Sequence, residues 1–134
     1  MKLQRLVEMI RRDRSGAEEW PVLFTCHKQN STGEWEEVNG AREPIASVEV
    51  DEDAKEVLLI MKSDCLPLSV ARLEQKLTEL MSCHGEFMVD GCETPIVMDD
   101  ETIHIDFPIG GAGRDEQNRC YLVVHLSRWG SAAN

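Results

Sequence analysis

The 134-residue chain contains no run of about 18 apolar residues, so its sequence predicts neither a transmembrane helix nor a membrane partner. Basic residues are also few. Lys and Arg number 14 against 25 Asp and Glu, which gives a formal net charge of −11. A protein that binds nucleic acid directly through an overall basic field is therefore not expected. The length and the 42% hydrophobic content indicate one globular domain.

Signals for export and for bound groups are missing as well. Lys2, Arg5 and Glu8 interrupt any apolar stretch that could serve as a secretory signal. The five cysteines are an odd number and include no Cys-x-x-Cys pair, so free thiols in a reducing cytoplasm are the expectation. Because the spacing typical of structural zinc is absent, no cofactor is predicted.

The glycine-rich segment at residues 110–114 does not match a phosphate-binding loop. It has neither the GxxxxGK[ST] nor the GxGxxG pattern, and it does not open a helix. We expect residues 108–119 to form a polar loop between two strands. The acidic residues 51–56 likewise lack the glycine and the final glutamate of an EF-hand, so that form of calcium site is not predicted.

Two amphipathic helices are predicted from apolar residues that recur three and four positions apart. The first would bury Leu3, Leu6, Val7 and Ile10. The second follows the N-cap residue Ser69 and would end at Gly85 in a left-handed cap. Its expected buried stripe is Val70, Leu73, Leu77, Leu80 and Met81.

Alternating apolar residues predict the strands, and the short links between them favour antiparallel pairing. The sequence therefore predicts an α+β domain over residues 1–128, followed by a flexible tail at 129–134. Its single, mostly antiparallel sheet of about six strands would carry both helices on one face. The predicted strands are residues 20–28, 34–38, 45–50, 56–61, 101–107 and 120–128, with a further short strand at 86–89.

The other face of this sheet is the expected place for chemistry. Leu122, Val124 and Leu126 are assigned to the core side of the last strand, which puts the intervening residues on the open face. His104 and Asp106 point the same way on the preceding strand. With His125 they would supply two imidazoles and one carboxylate, the ligand set of a non-haem iron site or a histidine–aspartate pair for general-base catalysis. A small metal-dependent or histidine-based enzyme is therefore the alternative hypothesis.

The leading hypothesis is a non-enzymatic interaction module of the inhibitor, immunity or chaperone kind. It assigns no catalytic residue and no metal ligand, and it proposes that acidic clusters steer the protein towards a basic protein partner. Apolar side chains on the open face also favour a homodimer. The predicted partner-binding residues are Glu34, Glu36, Glu37, Asp51, Glu52, Asp53, Tyr121, Val123 and Trp129.

Overall fold

The computed structural model of the protein describes residues 1–93, 96–103 and 105–127, and it has an α+β architecture, as expected. The tail predicted at 129–134 lies outside these residues. Among them, no helix has the length and apolar character needed to cross a membrane. The helices are α1 (Leu3–Asp13) and α2 (Val70–His84). The strands are β1 (Val22–Gln29), β2 (Trp35–Glu37), β3 (Glu43–Asp51), β4 (Glu56–Met61), β5 (Met88–Glu93), β6 (Ile96–Met98), β7 (Glu101–Ile103), β8 (Asp106–Asp115) and β9 (Cys120–Ser127).

Both helices form where the apolar periodicity places them. The predicted stripe of α1 is fully buried, and the N-cap of α2 is formed by the Ser69 hydroxyl, which accepts a hydrogen bond from the Arg72 N–H at 3.2 Å. The left-handed cap predicted at Gly85 is wrong, because this residue has a φ of −57°. The helix end is closed instead by the Phe87 N–H, which donates to the His84 carbonyl at 2.9 Å.

Seven strands form one mixed sheet in the order β2-β1-β3-β4-β5-β8-β9. Because β1 also pairs with β9, the six strands β1, β3, β4, β5, β8 and β9 close into a barrel. The pairs β1–β9 and β4–β5 are parallel, and α2 provides the crossover between β4 and β5. The α+β class was therefore predicted correctly, but the predicted sheet included neither the closure into a barrel nor the two parallel strand pairs. Strands β6 and β7 form a separate two-stranded sheet.

One side of the barrel strands is buried together with the apolar faces of both helices, and we call this side the inner face. The helices attach at the end where β1 and β5 begin. There the Val22 N–H donates to the Leu68 carbonyl and the Leu3 N–H to the Phe87 carbonyl, both at 2.8 Å. The strand residues of this core are Val22, Phe24, Ile45, Val57, Leu59, Met61, Val89, Ile109, Tyr121 and Val123. The opposite side is the outer face.

Strand β9 buries in the core the side chains that were predicted to lie on the open face. Tyr121 and Val123 are completely buried on the inner face, whereas Leu126 is 37% exposed. Their assignment to the open face was wrong because α1 covers this part of the strand: the Tyr121 hydroxyl donates to a carboxylate oxygen of Asp13 at 3.0 Å. Apolar residues occur at both the odd-numbered and the even-numbered positions of β9, so alternation alone did not determine which side of the strand faces the core.

The glycine-bearing segment is a strand and not the predicted loop. It belongs to β8, which pairs antiparallel with β9 and shifts register between Ile109 and Gly111. Gly110 permits close packing at this irregularity, since a Cβ there would lie only 2.8 Å from the Leu126 side chain. The turn between β8 and β9 therefore comprises residues 116–119 and is shorter than the predicted loop. Ile105 precedes β8 and is 58% exposed, although its position between His104 and Asp106, which are predicted to face outward, predicts an inward side chain.

Candidate functional site

Three carboxylates from neighbouring strands meet on the outer face of the barrel. Glu56 begins β4, Asp90 lies within β5 and Asp106 begins β8. Val57 and Val89 are paired core residues, so side-chain alternation directs their neighbours Glu56 and Asp90 outward. One oxygen from each of the three carboxylates lies within 4.8 Å of the other two. We call Glu56, Asp90 and Asp106 the carboxylate cluster.

Carboxylates at this spacing disfavour one another's ionisation. The pKa of Glu56 is raised to about 7, chiefly by a hydrogen bond to Asp90. Burial raises this pKa further, as do the negative charges of Asp90 and Asp106. Glu56 is half-buried, and Asp90 is only 7% exposed. The carboxyl group of Glu56 therefore keeps its proton at pH values where an ordinary glutamate is ionised.

An apolar group borders the carboxylate cluster on the same face. Leu58, Ile60 and Cys92 form a second buried cluster, and Cys92 lies directly opposite Asp106 in the pairing of β5 with β8. The Cys92 thiol donates to the Glu93 carbonyl at 3.2 Å. Burial, followed by the hydrogen bond to Asp106, raises the pKa of Cys92 to about 12. This thiol stays protonated and is not an activated nucleophile.

The structure places Asp106 and His125, two members of the predicted His-Asp-His trio, on different faces. Asp106 lies opposite Cys92 on the outer face, whereas His125 lies opposite the core residue Ile109. The His125 Nδ1–H donates to the Pro108 carbonyl at 2.7 Å, and its ring meets the edge of Phe107 at 5.4 Å. These two residues therefore do not form a shared site. His104 lies outside the described residues.

The acidic hairpin predicted to contact a partner is largely engaged within the chain. Glu37 forms an ion pair with Arg42 at 2.8 Å and accepts a hydrogen bond from the buried Thr25 hydroxyl. The hydrogen bond from Arg42 is the main cause that lowers the pKa of Glu37. Glu36 accepts from the Asn30 side-chain amide at 2.9 Å, and Glu34 is exposed.

The second predicted acidic group lies at the β3–β4 turn. Asp51 Oδ1 accepts hydrogen bonds from the backbone N–H groups of Asp53 and Ala54, both at 3.1 Å. Glu52 approaches His84 Nε2 at 2.7 Å, and the side chain of Asp53 remains exposed. Of the remaining predicted contacts, Tyr121 and Val123 are buried and Trp129 lies outside the described residues.

The carboxylate cluster was not anticipated as a unit. Asp90 carried a local signal, since it is a single acidic residue among Val89, Gly91 and Cys92 in a strand-like segment. Its convergence with Glu56 and Asp106 depends on β4, β5 and β8 being neighbours, and the connection between β4 and β5 in the chain contains the whole of α2.

No protein-family model, no curated protein and no solved structure matches this chain.

Proposed function

We propose that the protein is a binding module that recognises a basic partner protein through the acidic part of its outer face. This surface, which we call the outer acidic face, comprises Glu49, Asp51, Glu56, Asp90 and Asp106. Glu49 and Asp51 belong to it because they lie opposite the outward-facing Leu58 and Glu56 in the pairing of β3 with β4.

The observation that carries the proposal is the uneven distribution of charge over the barrel. The adjacent strands β3, β4 and β5 contain six carboxylates and no Lys or Arg. None of the ion pairs formed in the described part of the chain includes Glu49, Asp51, Glu56 or Asp90. In the described part of the chain, no Lys or Arg side chain therefore neutralises the charge of these four carboxylates.

Two basic residues at the helical end illustrate the contrast, because acidic neighbours already engage them. Arg14 binds Glu74 at 2.6 Å, and Lys2 binds Glu86 at the same distance. Among the described residues, Glu49, Asp51, Glu56 and Asp90 thus have no basic ion-pair partner, whereas these two basic residues at the helical end each have an acidic one. Such an asymmetry favours oriented encounter with a positively charged partner.

The chemistry of the face favours lysine or arginine side chains in the partner. A lysine or arginine side chain that enters beside Glu56 would favour the ionised form of this carboxyl group, whose pKa is raised in the free protein, and would gain Coulomb energy from it. Met88 lies opposite Glu56 and is 44% exposed, which supplies an adaptable apolar contact next to the charges.

The test is affinity capture from a lysate of cells that produce the protein, with three forms of the chain as bait. These are the wild type, the control variant Glu19→Lys/Glu79→Lys, and the outer-face variant Glu49→Lys/Asp53→Lys, in which Glu49 belongs to the outer acidic face and Asp53 lies in the β3–β4 turn beside it. Both variants change the net charge equally at exposed positions. The wild type and the control should retain the same basic protein in stoichiometric amount, and the outer-face variant should lose it.

The affinity of the purified pair should fall between about 50 and 300 mM salt, because exposed charge interactions are screened. A blank capture by the wild type overturns the proposal. Equal capture by the wild type and the outer-face variant also overturns it.

A further inference from the structure

Strand β3 has an open backbone edge over part of its length. On the side of β1, only Glu43 and Pro44 of this strand are paired. In the part of the chain that the structure describes, residues 47–51 pair with β4 alone. Every second residue of an antiparallel strand directs its N–H and C=O groups away from its partner strand. Residues 47–51 therefore present backbone groups without a strand partner, and we call them the free edge of β3.

The chain itself bonds to this side of β3 just before the free edge begins. The Leu68 N–H donates to the Ile45 carbonyl at 2.9 Å, and the Leu68 carbonyl accepts from the Val22 N–H at 2.8 Å. Leu68 therefore lies between β3 and β1 as a single strand residue would. The chain then enters α2 at Val70, and no further strand partner follows along this side of β3 among the described residues. This side of β3 is thus able to bond an extended segment.

A small groove runs beside the free edge on the inner face. Val48 and Val50 lie opposite core residues of β4, so both side chains point inward, but neither is completely buried. They line a groove of about 150 Å³, to which α2 contributes Lys76, Glu79 and Leu80. Pockets for small molecules usually have volumes of about 300 Å³ or more. A groove of this size therefore suits a side chain of an added strand better than a small-molecule ligand.

Two of the outward-facing side chains of the free edge are acidic. These are Glu49 and Asp51, which belong to the outer acidic face. A second copy of β3 would bring these carboxylates close to their own counterparts, and like charges opposite one another destabilise a strand pair. A segment with basic residues at alternate positions would instead place positive charges beside them. The charges therefore favour a basic segment over a second copy of the chain.

We propose that an extended segment of the basic partner adds to the free edge of β3 as a further strand. Its apolar residues enter the groove beside Val48 and Val50, and the basic residues between them face Glu49 and Asp51. This inference rests on the proposed function and specifies the kind of segment that is recognised. Glu79 lies on the groove side, away from the basic side chains, so the capture control with Glu79→Lys leaves the carboxylates of the free edge in place.

The test is calorimetric titration of the full-length protein, in about 50 mM salt, with the synthetic peptide Lys-Val-Lys-Val-Lys-Val blocked at both termini. A matched peptide carries a methyl group on every backbone nitrogen, which removes its N–H donors but keeps its charges and side chains. The first peptide should bind with one-to-one stoichiometry. The methylated peptide should bind at least about tenfold more weakly, because it cannot complete a strand pair.

Protein variants and hydrogen exchange locate the bound peptide. Glu49→Lys should weaken binding of the unmethylated peptide several-fold, whereas Glu19→Lys, an exposed change between α1 and β1, should not. Binding of this peptide should also slow the exchange of backbone amides within residues 47–51, because they gain hydrogen bonds.

Three results overturn the inference. One is equal affinity of the two peptides, which would show that charge alone attracts them and would leave the proposed function standing. Another is the absence of saturable binding by the unmethylated peptide up to about 1 mM. The third is protection of residues 47–51 that grows with the concentration of the protein alone, since a second copy would then occupy the free edge. A blank capture from the lysate, by contrast, overturns the proposed function itself.

Discussion

The ring of Phe24 on β1 packs against Gly91 on β5, the strand three positions away in either direction round the barrel. A Cβ at Gly91 would lie 2.7 Å from Phe24 Cε2, so a hydrogen at this position is what permits the contact. The same ring lies 5.7 Å from Phe107 on β8. The phenylalanine therefore fills the barrel interior by reaching across it, and the glycine provides the space.

Gly91→Ala should destabilise the fold by about 1–3 kcal/mol, because the added methyl group forces the Phe24 ring out of place. Gly113→Ala on β8 is the matched control. It has no positive φ and no atom within 4 Å of a built Cβ, so its effect should remain within about 0.5 kcal/mol. Urea denaturation measures both. Adding Phe24→Leu to Gly91→Ala should recover part of the loss, and equal stability of the two alanine variants would contradict this account.

The elements that could be predicted from sequence are those specified by local patterns. Leu3, Leu6, Val7 and Ile10 mark α1 through their spacing, and the structure buries all four. Ser69 marks the start of α2 through its capping side chain, and the bounds predicted for β4 are those observed. Each of these signals depends on residues within a few positions of one another.

The features that escaped prediction depend on contacts between distant segments. Closure of the barrel joins β1 to β9 in parallel, and no local turn signal indicates a pairing between residues 99 positions apart, such as Val22 with Tyr121. Which side of β9 faces the core is determined by α1, which packs over Tyr121. The residues next to Tyr121 in the sequence do not show this. The carboxylate cluster has the same origin, since Glu56, Asp90 and Asp106 become neighbours only through strand order.

Tyr121→Phe should lower the free energy of unfolding by about 1–2 kcal/mol, because it removes the hydrogen bond to the Asp13 carboxylate but keeps the ring. Arg12 still contacts Asp13 at 3.2 Å, which limits the loss. Thermal unfolding measures the effect. A variant as stable as the wild type would show that the hydroxyl contributes nothing to docking α1.

Tyr121 is also the only tyrosine in the chain, so its ionisation can be followed directly by ultraviolet absorbance. Burial, followed by the negative charge of Asp13, raises the pKa of this phenol above its usual range. The folded state therefore retains a proton that the unfolded chain loses, and stability should fall as the pH rises above about 10. Tyrosinate should appear only as the protein unfolds, and its appearance in the folded protein at pH 10 would contradict the buried position.

Asp115 at the end of β8 should make stability depend on acidity. Hydrogen bonds lower the pKa of Asp115 to about 2. The largest effect comes from the side-chain amide of Asn118 and the next from Arg42. Because this pKa is depressed, the stabilising contribution is present above the ordinary value of 3.8 and is lost as the pH falls towards 2. Asn118→Ala should raise the Asp115 pKa in an NMR titration and move acid unfolding to higher pH. Gln117→Ala, an exposed change in the same turn, should do neither.

Glu56→Gln should stabilise the protein at pH 8. The folded-state pKa of Glu56 is about 7, above its ordinary value of 4.5, so the folded protein retains a proton that the unfolded chain releases between these values. The contribution of Glu56 to stability therefore decreases as the pH rises from about 4.5 to 7.

Glutamine at position 56 removes the charge and keeps a hydrogen-bond donor for Asp90. The expected gain at pH 8 is about 1 kcal/mol after allowance for solvent screening of a half-buried group, and it should disappear near pH 4. Urea denaturation at both pH values measures this. Glu49→Gln, which removes an exposed carboxylate of the same face, should leave the pH dependence unchanged. If Glu56→Gln instead lowers stability at pH 8, repulsion among the three carboxylates is not what governs this site.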